Sequence, residues 1–130
     1  MRYLKLGLMI LGIGISLTAC VSQNKVLPLH DEVLTFHLPY DLAYLPTVEA
    51  LERVAGWELE NTEKEKGLII IRNINYSSPV DADKQSATFV VKRVGAKETS
   101  VELAPQSQRV LGGDQLLEQV SRYLDRELNK

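Results

Sequence analysis

The sequence predicts an α+β domain: a two-layer sandwich in which an antiparallel sheet of about five strands carries two helices packed on one face. Three observations predict it. The last stretch of the chain repeats its apolar residues at helical spacing, four β-prone runs before it are separated only by turns and loops, and one helical stretch precedes them. Strands grouped together, rather than alternating with helices, argue for antiparallel pairing.

The first element is a β-prone run at 33–38, stopped by Pro39. Asp41 then offers an N-cap, and Tyr44, Val48, Leu51 and Ala55 follow at spacings of four, three and four, which is one face of a helix. Pro46 would cost a helix begun at Asp41 an internal hydrogen bond. The first turn is therefore either kinked or separate, with the regular helix starting at Pro46. Gly56 is placed to end it.

Residues 57–60 alternate apolar and acidic, as a half-buried strand does, and 62–67 is a charged turn ending in Gly67. Residues 68–74 are apolar on both faces at first, which predicts a central strand. A polar loop at 77–85 follows. Residues 87–94 and 99–103 form a hairpin around 95–98, and 104–113 connects it to the final helix. Asp114 is the expected cap of that helix. Leu116, Leu117, Val120, Tyr123, Leu124 and Leu128 form its apolar stripe, and Glu118 and Arg122 are spaced for an i,i+4 ion pair on another face.

Ahead of the domain, Arg2 and Lys5 precede a twelve-residue apolar run at 6–17. A bilayer span needs about 20 apolar residues, so the run suits a cleaved signal better than a transmembrane helix. Gly7, Gly12 and Gly14 weaken any helix it would form. It ends in Leu17-Thr18-Ala19-Cys20, and Cys20 is the only cysteine. That pattern resembles the lipobox of bacterial lipoproteins. The resemblance implies cleavage after Ala19, a diacylglycerol on the Cys20 sulfur and usually an acyl chain on the new amine. Two other readings are an uncleaved anchor with an incidental Cys20, and an ordinary secretory signal that leaves a free thiol in an oxidising compartment.

The expected organisation is a signal peptide at 1–19, the lipidated cysteine and a tether at 20–32, and one α+β domain at 33–130. The expected location is membrane-anchored and facing the periplasm. Val21 rather than aspartate after the cysteine resembles the outer-membrane pattern, if the organism has one.

Removing residues 1–19 from 130 leaves 111, enough for one domain with its own core. Taking Arg2 and Lys5 from the 15 basic side chains leaves 13 against 17 acidic, a charge of −4 before the termini. This balance disfavours nucleic acid, and no basic stripe is present. No polybasic segment sits beside the cysteine to grip anionic headgroups.

Chemistry-bearing motifs are scarce. With Cys20 acylated no thiol nucleophile remains, and His30 and His37, on a tether and a strand, lack the spacing of a zinc site. No nucleophile elbow, zincin motif, P-loop or dinucleotide fingerprint occurs. Asp81 and Asp83 in the polar loop lack the glycine and bidentate glutamate of a calcium loop, and the alternating charges at 63–66 serve solubility. A hydrolytic reading would need Glu58, Glu60 and Glu102 gathered in a cleft. The expectation is no enzyme, no cofactor and no metal.

Two surfaces remain. The helix-free face of the sheet would show Glu58, Glu60, Ser100 and Glu102, with either Leu68, Ile70, Arg72 and Ile74 or Ile69, Ile71 and Asn73 among them. The end of that strand, Arg72, Asn73, Asn75 and Tyr76, is a candidate interaction rim.

The stretch from Asp41 to Leu124 resembles a group of small bacterial envelope lipoproteins of unassigned function. The matching pieces are 50–52 (ALE), 56–57 (GW), 67–71 (GLIII), 92–94 (KRV), 99–103 (TSVEL) and 113–114 (GD). It is more distantly similar to the helix-and-sheet domains of BamC, a lipoprotein of the outer-membrane β-barrel assembly machinery. The resemblance implies this architecture and no catalytic role, and it assigns no functional residue. The expected function is a membrane-tethered, non-enzymatic accessory or scaffold in an envelope protein complex. Its partners would be the lipid membrane, through acylated Cys20, and an envelope protein. The alternative is a periplasmic module binding a small molecule or cell-wall fragment.

Overall fold

The structure, a computed structural model, describes residues 28–75 and 85–130. Cys20 and Val21, the lipobox, and Tyr76, Asp81 and Asp83 lie outside the described residues.

The chain forms an α+β fold with a five-stranded antiparallel sheet and two helices. In chain order these are β1 (Leu34–Phe36), α1 (Tyr40–Glu52), β2 (Trp57–Glu63), β3 (Leu68–Asn73), β4 (Ser86–Gly95), β5 (Glu98–Leu103) and α2 (Gly113–Leu128). The sheet order is β1-β5-β4-β3-β2. The central strand is therefore β4, and β3 stands one place from the edge, contrary to what its run of aliphatics predicts.

Alternation along the strands divides the two faces of the sheet. Ile69 and Ile71, then Ala87, Phe89 and Val91, then Val101 and Leu103 are buried on one side. They pack with Leu51 and Val48 of α1 and with Leu116, Leu117, Val120 and Leu124 of α2 in one core. The pairs Ile69–Phe89, Phe89–Leu103 and Val91–Val101 carry that layer across three strands. A bulge at Glu60 shifts the register of β2, so that Asn61 and Glu63 stand opposite Ile70 and Leu68.

Polar groups inside the core are satisfied locally. The Thr47 hydroxyl donates to the Ala43 carbonyl at 2.7 Å, and that of Thr99 donates to the Leu38 carbonyl at 2.7 Å. The Ser107 hydroxyl accepts the Thr88 N–H at 2.9 Å, just past the point where β5 stops pairing. Such groups would each cost about 1–3 kcal/mol if left unpaired.

The helix boundaries differ from the sequence expectation at three points. First, α1 starts after Pro39, so Asp41 lies in its first turn rather than at its cap. The helix also runs unbroken through Pro46. The carbonyl that loses its donor belongs to Leu42, a residue on the exposed side of the helix. Second, α1 ends at Glu52, and Gly56, at φ +87°, turns the chain into β2 instead. Third, Gly112, at φ +82°, precedes α2, which leaves Asp114 inside the first turn. There its carboxylate still complements the positive end of the helix.

His30, near the end of the expected tether, meets the domain. The His30 N–H donates to the Gln108 carbonyl at 2.7 Å, and its imidazole lies against Gly113, where a Cβ would stand 2.7 Å from His30 Cδ2.

Candidate functional site

The residues of the expected rim do not form one surface. Arg72 points to the helix-free side, opposite Glu58, and its guanidinium donates to Glu58 Oε1 at 2.5 Å. That bond raises the Arg72 pKa above its ordinary value. Asn73, the next residue, points the other way beside Trp57. Its Oδ1 accepts the Asn75 N–H at 2.9 Å, an Asx turn, and Asn75 itself crowds Gly56. Much of the hydrogen-bonding capacity expected to face a ligand thus closes the end of β3. Tyr76 lies outside the described residues.

The helix-free face is better organised. Between the two expected sets of β3 residues, the structure selects Leu68, Ile70 and Arg72, since Ile69 and Ile71 are fully buried in the core. Across the ladder Leu68 meets Val90 and Ile70 meets Thr88. These four side chains are half-buried although no helix covers them. Ion pairs bracket the patch: Arg72–Glu58 on one side and Lys92–Glu102, at 2.5 Å, on the other. Glu58 and Glu102 sit on β2 and β5, three strand spacings apart across the sheet and four residues apart along it, more than about 14 Å in all, so they form no common acid pair. Glu60 is displaced into the bulge.

A second site, unforeseen in the sequence, is an open groove of about 780 Å³ between the start of α1, the 64–67 turn and the end of β4. The Arg93 guanidinium stacks over the Tyr40 ring at 5.0 Å, a cation–π contact. The Tyr40 hydroxyl donates to the Lys64 carbonyl at 2.5 Å, and its ring stacks on Tyr44 with centroids 5.8 Å apart. Burial pushes the phenol pKa of both tyrosines up, partly opposed at Tyr40 by the Arg93 charge. Of the four cations lining the groove, Lys64 holds Asp41 at 3.4 Å, Lys66 holds Glu63 at 3.3 Å, and Lys92 holds Glu102. Arg93 is held by the aromatic ring instead. The members come from three distant segments, and the one visible sequence signal was Gly67 ahead of an aliphatic run.

Among the described residues, no group of three or more His, Cys, Asp or Glu side chains is placed to hold a metal ion, and no helix is long and apolar enough to cross a membrane.

No family model matches the chain, and neither does any curated protein. A solved structure of the Zhui aromatase/cyclase from Streptomyces sp. R1128 matches at 14% identity, covering 74% of this chain and 83% of that one, with a TM-score of 0.40. That protein is an enzyme, which runs against the expectation that this chain is not one. The exclusion of catalysis is accordingly withdrawn. At this TM-score the likeness carries no activity, substrate or residue role to this chain.

Proposed function

We propose that this chain is a membrane-tethered lipoprotein whose domain docks on a protein partner in the cell envelope through the helix-free face of its sheet. The observation that carries the reading is the Leu68–Ile70–Val90 patch bracketed by the Arg72–Glu58 and Lys92–Glu102 pairs. An apolar centre with a charged rim is the anatomy of a protein interface. Acylated Cys20 would supply the membrane attachment, facing the periplasm, at the outer membrane where the organism has two. Several acyl chains together hold a protein far more firmly than one.

The test is photo-crosslinking in cells from a probe at Ile70, with one at Arg126 on the outer side of α2 as reference. The expected outcome is a discrete crosslinked species from position 70, absent from position 126 and lost when Val90 is replaced by Glu. Identical patterns from the two positions would refute the docking face.

The groove favours a second reading, a module binding an acidic small molecule or cell-wall fragment. Its support is Arg93, which is stacked on Tyr40 and makes no ion pair among the described residues. Titration with a soluble anionic cell-wall fragment should shift the backbone resonances of 64–67 and 91–93. Absence of those shifts at millimolar ligand would remove this reading.

A further inference from the structure

Of the large apolar side chains that the core leaves outside, three share one end of the sheet, while Leu42, Leu45 and Val94 stand elsewhere on the domain. Leu29 is 48% exposed, Leu111 43% and Ile74 55%, and all three lie at one end of the sheet. Their neighbours place them there. Leu29 precedes His30, which is bonded to Gln108 and packed on Gly113. Leu111 precedes Gly112, where a Cβ would stand 3.9 Å from the Trp57 ring. The Ile74 N–H donates to the carbonyl of Gly56, the residue before Trp57, at 2.9 Å. Three exposed aliphatics therefore lie at the Trp57 end of the sheet, where residue 28 enters the domain.

The docking of His30 also shortens the tether. With His30 against the domain, nine residues, 21–29, separate Cys20 from His30, a reach of at most about 32 Å. Resting on the lipid-anchor reading proposed above, we infer that this end of the domain sits in the headgroup region of the same bilayer, with Leu29, Leu111 and Ile74 as its apolar contacts. Asp31, Glu32 and Asp114 lie near this end, so the contact depends on apolar burial rather than on attraction to anionic lipid. The groove is at the opposite end of the sheet. Over the ten residues of β4 that is about 30 Å, which points Arg93 away from the membrane and toward the periplasm.

Because Cys20 is the only cysteine, acylation leaves an introduced cysteine as the sole reactive thiol. The mature lipidated protein carrying Leu111→Cys, Leu29→Cys or Lys97→Cys is labelled with an environment-sensitive fluorophore and reconstituted in phosphatidylcholine vesicles containing a quencher fixed in the lipid. The Lys97 label sits in the turn between β4 and β5 at the far end. The expected result is about twofold or greater quenching at positions 111 and 29, with little at 97. Equal and negligible quenching at all three positions, with protein still floating on the vesicles, would overturn the inference while leaving the anchor intact. Protein that labels at Cys20 and does not float would overturn the anchor reading, and the inference with it.

Discussion

Gly67 and Val91 are held so close that a Cβ on Gly67 would stand 2.1 Å from the Val91 carbonyl oxygen. A backbone bond joins the same two residues, with the Val91 N–H donating to the Gly67 carbonyl at 2.7 Å. Gly67 also has φ +71°, where an L side chain costs about 1–2 kcal/mol before any collision. Gly67→Ala is expected to lose about 3 kcal/mol or more, a fall in Tm beyond about 10 °C. Gly95→Ala is the contrast, since its Cβ meets nothing nearer than 3.7 Å and its φ is ordinary. That variant should change stability by less than about 0.5 kcal/mol. Urea unfolding of the pair reads both.

The core makes a second contrast. Phe89 is fully buried at the centre of the sheet, paired with Ile69 and Leu103. Phe89→Ala should cost about 3–5 kcal/mol. Leu42 is equally apolar but 60% exposed on the outer side of α1. Leu42→Ala should stay within about 0.5 kcal/mol in the same denaturant measurement.

These contrasts show which features were legible in the sequence. The stripe of α2 was, because Leu116, Val120 and Leu124 repeat at helical spacing and nothing competes with that period. The start of α1 was not. Asp41 is a better N-cap by residue type than Pro39, and Pro46 reads as a break unless the orphaned carbonyl is known to belong to a residue on the exposed side. Strand order was also hidden: Leu68 and Ile70 made β3 look central, whereas they are half-buried on the helix-free face. The groove escaped because Tyr40, Lys64 and Arg93 share no local pattern, and only the fold brings them together.

The two helices are joined at the surface as well as in the core. The Tyr123 hydroxyl donates to Glu49 Oε2 at 3.0 Å, and the Arg53 guanidinium lies 5.5 Å above the Tyr123 ring. A double-mutant cycle on Tyr123→Phe and Glu49→Gln should give a coupling of about 1 kcal/mol. A coupling near zero would mean that the bond makes no net contribution to holding α1 on α2.

Alkaline pH should weaken the groove end first. Burial raises the pKa of Tyr40 and Tyr44 above the ordinary 10.0. Between the unfolded and folded values, the unfolded chain has released protons that the folded chain keeps. Stability present below pH 10 is then lost as pH rises through the folded values. Tyr40→Phe should flatten that decline in melts recorded from pH 8 to 11, and a profile as steep as that of the unaltered protein would contradict the assignment.

The anchor proposed above makes Cys20 the lipidated N-terminus of the mature protein. Intact-mass and N-terminal peptide analysis of membrane-purified protein tests it most directly. The expected mature chain begins at Cys20 and carries the mass of a diacylglycerol, with or without an N-acyl group. Cys20→Ala is expected to accumulate as unprocessed, unlipidated precursor. A chain that retains residues 1–19, or one that carries an unmodified Cys20, would contradict it.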